Sequence, residues 1–259
     1  MSVEKIAIVM DSTAYLPAEL TKELNIRTVY LNIVIDGNSY KEVIDMPLDK
    51  YYDYLKDPNN SFPTTSQPAI GEVVSCLEKL KEEGYTDVIA IALSSGISGT
   101  FSSYSVADLM VDGINVHPFD SEVACHPEGY YAIKAAELIK EGKSSKEIIT
   151  ALNEMKKVSD AYFMADDLSH LQRSGRLSGA QAVVGSLLQV KPLLHFDDKV
   201  IVPFQKIRTY KKVVSRMYEL FDEYYKQHEG EHITVCVLHV DALDKAEEIK
   251  KYVRGEIKP

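Results

Sequence analysis

The chain has 259 residues, of which 45% are hydrophobic and 26% are charged, so a folded protein with a well-buried core is expected. Its net charge of -10 argues against a nucleic-acid groove and against a polybasic membrane-binding surface. The 3 cysteines show no zinc or thioredoxin spacing, and no apolar stretch approaches a membrane span, so we predict a soluble, cytoplasmic protein.

The first part of the chain alternates strand and helix patterns. Short runs rich in Ile, Val and Ala predict buried strands at residues 5–10, 27–33, 87–93 and 115–119. Apolar residues at helical spacing predict helices at residues 17–24, 48–55, 69–83, 100–111, 128–141 and 145–158. Residues 36–38 predict a turn, and residues 61–67 a polar loop. The alternation predicts a parallel sheet covered by helices on both faces.

The pattern changes after residue 158, where we predict the start of a second, smaller domain. Strand patterns occur at residues 161–165, 192–196, 200–202 and 233–239. Helical patterns occur at residues 168–174, 179–188, 211–227 and 243–253. The predicted fold class is therefore α/β, with a parallel-sheet N-terminal domain at residues 1–158 and a mixed α/β C-terminal domain at residues 159–259.

Three predicted strands of the first domain end in hydroxyl-bearing turns, at residues 11–13, 94–100 and 120–121. Parallel strands place their carboxyl ends at one edge of the sheet, where ligands bind, so we expect these turns to lie together. Residues 94–100 (SSGISGT) contain glycine and open a helix, which favours an anion held by free backbone N–H groups. They contain no lysine, so a carboxylate is a better match than a nucleotide.

Other interpretations of these residues remain open. Ser, Thr and Asp often cap the next helix, in which case the chain would be an interaction module with no enclosed apolar cavity. Alternatively, Asp11 and residues 94–100 could serve a stand-alone phosphoryl- or acyl-transfer enzyme. The string at residues 228–232 matches the H-E-x-x-H zinc motif, but Gly230 lies inside it at a predicted helix end, so we expect no metal site.

Together these motifs resemble the DegV family, the fatty-acid-binding carrier subunits of bacterial fatty acid kinase. The T-S-Q-P and S-S-G-x-S-G-T strings are the most specific pair. The matching residues span roughly residues 5–212 and are Asp11-Ser12-Thr13, Thr65-Ser66-Gln67-Pro68, Leu93-Ser94-Ser95-Gly96-Ile97-Ser98-Gly99-Thr100, Asp120-Ser121, Leu171 with Ser174-Gly175-Arg176-Leu177, Lys191-Pro192 and Arg208-Thr209.

The resemblance implies a two-domain fold that holds a fatty acid of the palmitate or oleate class between its domains, with no other cofactor and no metal. The carboxylate is expected to meet Thr65 and Ser95, and the other expected ligand-binding residues are Ser94, Gly96, Ser12, Ser121 and Arg176. The residues expected to face a partner or to support the site are Arg208, Asp11 and Ser66. The implied partner is a kinase subunit that phosphorylates the bound carboxylate, so this chain itself would not be an enzyme. Neither nucleic acid nor stable membrane insertion is expected.

Two features depart from the family pattern. Family members commonly finish with a glycine-rich segment containing His-Thr-Gly-Pro-Gly, which this sequence lacks, so we expect the C-terminal domain to be truncated. Residues 124–129 (ACHPEG) replace a segment that is usually smaller and more apolar. The acyl tail would supply most of the affinity, up to about 10 kcal/mol at ~0.8 kcal/mol per methylene, while the head-group hydroxyls fix orientation.

Overall fold

The computed structural model describes residues 4–177 and 191–256 of the chain. Contacts between residues divide the chain into two compact units, Met1–Ser159 and Asp160–Pro259. The predicted α/β class is confirmed, with a parallel sheet in the first unit and an antiparallel sheet together with helices in the second. The predicted helix at residues 179–188 lies outside the described residues. None of the described helices combines the length and hydropathy needed to cross a membrane.

The first unit is built around a parallel sheet. The unit has seven described strands, of which four form the parallel sheet: β1 (Ile6–Asp11), β2 (Ile26–Val29), β3 (Asn32–Ile35), β4 (Asn38–Lys41), β5 (Thr64–Ser66), β6 (Asp87–Ala92) and β7 (Asn115–Asp120). The parallel sheet has the order β2-β1-β6-β7. Every residue of β6 is buried, as its continuous apolar sequence predicts for a central parallel strand.

Helices follow most of these strands. They are α1 (Ala18–Glu23), α2 (Leu48–Lys56), α3 (Ile70–Glu82), α4 (Thr100–Asp108), α5 (His126–Lys140) and α6 (Ser145–Lys157), with a short 3-10 helix at Ser12–Ala14. On α3, Val73, Leu77 and Leu80 share one face and pack into a core with the buried side chains of β6. The first turn of α6 is closed by a capping box between Ser144 and Glu147.

A small antiparallel sheet, in the order β4-β3-β5, corrects two sequence predictions. The single strand predicted at residues 27–33 is divided between β2 in the parallel sheet and β3 in the small sheet. The polar loop predicted at residues 61–67 contains β5, which pairs with β3. Because β5 is polar and exposed, it has no apolar alternation to reveal it. The predicted turn is confirmed, since Asp36 and Gly37 both have positive φ, as a type I′ hairpin turn requires.

The second unit contains an antiparallel sheet in the order β10-β9-β8. Its strands are β8 (Tyr162–Met164), β9 (Leu193–Asp197) and β10 (Val200–Gln205), and its described helices are α7 (Ser169–Arg173), α8 (Tyr210–Gln227) and α9 (Leu243–Val253). The strand predicted at residues 233–239 is wrong, because these residues join no strand ladder within the described part of the chain. Apolar side chains there stay exposed, including Leu238 at 52%.

We expect the packing of α3 to dominate the stability of the first unit. Leu80 is 1% exposed, and replacing it with alanine should reduce the free energy of unfolding by about 2–5 kcal/mol, because a cavity remains in the core. Leu109 is 84% exposed, so the same substitution there should change stability by no more than about 0.5 kcal/mol. Urea unfolding of both variants measures the difference, and equal losses would contradict the burial of this face.

Candidate functional site

The carboxyl ends of three neighbouring strands meet at one edge of the parallel sheet. β6 lies between β1 and β7, so the residues that follow β6 are flanked by Asp11 on one side and Asp120 on the other. One Asp11 oxygen accepts the backbone N–H of Leu93 at 2.9 Å. Asp120 Oδ1 accepts the backbone N–H of Ser95 at 3.0 Å. The three predicted turns therefore lie together, and we call this edge the carboxyl rim.

Ser95 lies at the centre of the carboxyl rim. Its side chain is half-buried, and its Oγ donates to Oδ2 of Asp120 at 2.5 Å. Asp120 therefore holds both the backbone and the hydroxyl of Ser95, while its Oδ1 also accepts the backbone N–H of Glu122 at 3.2 Å. This contact joins the ends of two strands. Gly99 is the N-cap of α4 and no side chain caps this helix, so the helix-cap interpretation does not apply to Ser95, whereas Asp11 does cap the short 3-10 helix by accepting the Thr13 N–H.

Ser94 and Ser121 are fully buried in the two loops that meet at the carboxyl rim. The Ser121 Oγ donates to the backbone oxygen of Val123 at 3.1 Å, and the Ser94 N–H donates to that same oxygen at 2.7 Å. Gly96 is exposed, and its N–H makes a long contact of 3.4 Å with the Ser94 Oγ. Ser94 and Ser121 are thus buried parts of the carboxyl rim, whereas Ser95 and Gly96 retain exposed surface.

The T-S-Q-P segment reaches the same loop through Gln67. Thr65 and Ser66 are exposed on β5, where they pair with β3. The Gln67 carboxamide lies over Gly99, where an added Cβ would fall 2.2 Å from Gln67 Oε1, and its Nε2 donates to Ser103 Oγ at 3.3 Å. A side chain at Gly99 would therefore displace the Gln67 carboxamide from this position, while the backbone conformation of Gly99 does not itself need glycine.

Ser12 is buried, and its hydroxyl is fully used within the protein. It donates to Oε2 of Glu42 at 2.5 Å and accepts the backbone N–H of Leu31 at 3.0 Å. The other Glu42 oxygen accepts the hydroxyl of Tyr15. Sequence analysis missed Glu42, because it lies 30 residues from Ser12 and carries no motif of its own. Ser12 consequently organises a buried carboxylate in this structure.

Asp11 forms a buried carboxyl pair with Glu128, a residue that the sequence analysis also missed. Asp11 Oδ1 lies 2.5 Å from Thr13 Oγ1, which in turn lies 2.8 Å from Glu128 Oε2. Both carboxyl groups have no exposed surface. Burial raises the pKa of Asp11 to about 6, and burial together with the nearby Asp11 charge raises the pKa of Glu128 well above its usual range. Both carboxyl groups are therefore harder to ionise than exposed acids, and the Asp11 charge further disfavours ionisation of Glu128.

Gly129 allows this pair to form. A Cβ at Gly129 would lie 2.7 Å from Leu16 Cδ2, so a side chain there would force Leu16 to move, whereas glycine lets the start of α5 pack closely against the turn after β1. The unusual segment at residues 124–129 thus supplies both the carboxyl group and the glycine that admits it. The signal in the sequence was this departure from the family pattern, although its meaning required the contact with Thr13.

Arg176 and Arg208 belong to the second unit, which is described by itself. Arg176 is half-buried, and its Nη1 donates to the backbone oxygen of Ser174 at 2.5 Å. Arg208 is exposed and immediately precedes Thr209, the N-cap of α8. A cleft of about 420 Å³ in this unit lies against α9 and contains none of the predicted site residues. In the described residues, no three His, Cys, Asp or Glu side chains are arranged to hold a metal ion.

The carboxyl pair predicts a specific dependence of stability on pH. An acid whose pKa is raised in the folded state binds its proton more tightly when folded, so stability falls as pH rises from about 4 through about 6 and beyond. For Asp11 alone the loss amounts to about 3 kcal/mol. Glu128→Gln keeps a neutral donor beside Asp11 and removes the second charge, so the fall between about pH 5 and 8 should be smaller than in the unchanged protein.

Urea unfolding across this pH range measures the effect. Glu78→Gln on the exposed face of α3 is the matched control and should follow the unchanged protein. Parallel curves for Glu128→Gln and the unchanged protein would show that the pair does not share a proton.

Comparison with known proteins identifies the family of this chain. A family model described as "Uncharacterised protein, DegV family" matches residues 5–259. Protein DegV of Bacillus subtilis (strain 168) is 54% identical over 245 residues, covering 94% of this chain and 86% of the relative. A DegV domain-containing protein of Listeria innocua is 47% identical over 253 residues, covering 98% of this chain and 88% of the relative.

Two solved structures share the fold at substantial sequence identity. The crystal structure of DegV from Bacillus subtilis, described as a fatty acid binding protein, superposes with a TM-score of 0.87 at 50% identity and covers 98% of this chain and 89% of that chain. A fatty acid binding DegV family protein from Streptococcus agalactiae superposes with a TM-score of 0.89 at 30% identity and covers 98% of this chain and 88% of that chain. The family match over nearly the whole sequence, together with these relatives, shows that this chain belongs to the DegV family.

Proposed function

We propose that this protein binds one long-chain fatty acid, of the palmitate or oleate class, with its head group at the carboxyl rim. The observation that carries the proposal is the half-buried Ser95 hydroxyl, held between two strand ends by Asp120. Support comes from the two fatty acid binding DegV structures, whose fold this chain shares over 98% of its length. Open α/β sheets bind ligands at this edge.

The geometry suggests how the proposed head-group residues divide their roles. Ser95, with Thr65 and Gly96, would contact the head group, because these residues retain exposed surface. The buried residues would shape the site from below, namely Ser12, Ser94, Ser121 and Asp11. On the basis of the family resemblance, we also propose that Arg176 contacts the ligand. On the same basis, Arg208 and Ser66 would face a partner or support the site.

We further propose that a separate kinase subunit phosphorylates the bound carboxyl group to form an acyl phosphate, so that this chain is a carrier in lipid metabolism. The alternative of a stand-alone transferase requires Asp11 to reach a substrate. Asp11 has no exposed surface, and its oxygens accept three hydrogen bonds from Thr13 and Leu93, which favours the carrier. The three cysteines are free thiols, which supports the proposed cytoplasmic location.

Mass spectrometry of the gently denatured protein and titration with palmitate test the proposal. We expect a bound fatty acid in the purified protein and saturable binding of palmitate. Ser95→Ala should weaken palmitate binding about tenfold, the effect of losing one hydrogen bond to the head group. Ser75→Ala, at an exposed position of α3, is the matched control and should leave binding unchanged.

Two results would count against this function. If no fatty acid co-purifies and palmitate does not bind, the lipid-carrier function is rejected. If palmitate binds equally well to the Ser95→Ala variant, the head group does not lie at the carboxyl rim.

A further inference from the structure

The loop after β6 uses its backbone donors within the protein. The Ser94 N–H donates to the Val123 oxygen, the Ser95 N–H to Asp120, and the N–H groups of Ile97 and Ser98 to the Ser94 oxygen. The sequence prediction of free N–H groups that cradle an anion is therefore wrong for these four amides. Gly96 retains the weakest contact, at 3.4 Å.

Ser95 has one hydroxyl proton, and the structure places it between Ser95 Oγ and Asp120 Oδ2 at 2.5 Å. Because Asp120 Oδ1 holds the backbone N–H groups of Ser95 and Glu122, the carboxylate cannot turn away without breaking both bonds. In this orientation the exposed side of Ser95 Oγ presents lone pairs. Ser95 is thus a hydrogen-bond acceptor toward anything that enters the carboxyl rim.

One positive charge in contact with Asp120 is shared with a second carboxylate. Lys156 on α6 donates to the Asp120 backbone oxygen at 3.1 Å, but it is also paired with Glu122 at 2.9 Å. On the other side, Asp11 at the end of β1 and Glu128 on α5 both contact the Thr13 hydroxyl, and burial disfavours the ionised form of each.

Three titratable groups in the loop after β7 and on α5 are neutral. Burial raises the pKa of Cys125 to about 11, raises that of Tyr131 and lowers that of His126, so each of them is uncharged at neutral pH. A ligand carboxylate without a proton would therefore compete with Asp120 for the single Ser95 proton.

We infer that Asp120 positions Ser95 so that a fatty acid enters the carboxyl rim together with one proton taken up from solution. This inference rests on the proposed function. In the bound state three oxygens lie in a row, namely one of the head group, Ser95 Oγ and Asp120 Oδ2. Two hydrogens join them, which are the Ser95 hydroxyl proton and the one H⁺ taken up with the ligand carboxylate. The extra proton resides either on the head group, which donates to Ser95, or on Asp120, with Ser95 donating to the head group. Either arrangement takes up one proton.

Calorimetric titration with dodecanoate, in two buffers of different ionisation enthalpy, measures the number of protons taken up. Near pH ~7 we expect about one proton per ligand, and the dissociation constant should rise about tenfold per pH unit between about pH 6.5 and 8.5. Dodecanol carries its own hydroxyl proton, so its binding to the same protein should be independent of pH. Binding of dodecanoate with no proton uptake would overturn the inference and leave the proposed function intact.

Asp120→Asn provides a readout that a purely structural role would not give. The amide oxygen can keep both backbone N–H groups, and the amide NH₂ then donates to Ser95 Oγ, which frees the Ser95 proton for the ligand. Dodecanoate should then bind without proton uptake, and more tightly than to the unchanged protein at about pH 8. Equal weakening of dodecanoate and dodecanol, with proton uptake retained, would overturn the positioning role.

Two further results complete the test. If Asp120→Asn does not fold, the proton count for dodecanoate and dodecanol in the unchanged protein still decides the inference. If dodecanoate does not bind at any pH, the proposed function fails, and the inference fails with it.

Discussion

Two aspartates bind the backbone of the loop after β6 from opposite sides, and the geometry of the carboxyl rim depends on these bonds. Asp11 accepts the Leu93 N–H at 2.9 Å and Asp120 accepts the Ser95 N–H at 3.0 Å. The flanking strands β1 and β7 therefore each contribute one carboxylate that binds the backbone after the central strand β6. Hydrogen bonds from amides to charged groups are stronger than neutral ones. The loop is consequently held in one conformation before any ligand arrives.

This arrangement determines what the carboxyl rim can offer to a ligand. A glycine-bearing loop at the start of a helix commonly binds anions because its N–H groups are unpaired. Here the amides of Ser94, Ser95, Ile97 and Ser98 already have acceptors inside the protein. The N–H groups that an anion would need are therefore already used to hold the loop in place. The Ser95 hydroxyl, which donates to Asp120, is oriented as an acceptor toward a ligand.

Buried acids recur around this edge of the sheet, and each is stabilised in a different way. Glu42 accepts hydroxyls from Ser12 and Tyr15, whereas Asp11 and Glu128 lie on either side of Thr13. Burying a carboxylate is costly unless it is hydrogen-bonded or retains its proton. Glu42 illustrates the first solution, whereas burial favours the protonated form of Glu128. The carboxyl rim is thus acidic in composition, yet its acids are engaged with the protein rather than directed at solvent.

Apolar periodicity and the topology of parallel sheets were enough to predict the α/β class, the parallel strands β1, β6 and β7, and the gathering of hydroxyl turns at their carboxyl ends. Three features could be seen only in the folded chain: residues 27–33 divide between two sheets, the polar β5 pairs with β3, and residues 233–239 form no described ladder. Strand pairing depends on partners distant in sequence, which local patterns do not specify. The direction of the Ser95 hydroxyl and the recruitment of Glu42 and Glu128 were likewise decided by contacts across 25, 30 and 115 residues. A hydrogen bond depends on the positions of both partners, and the fold alone sets those positions.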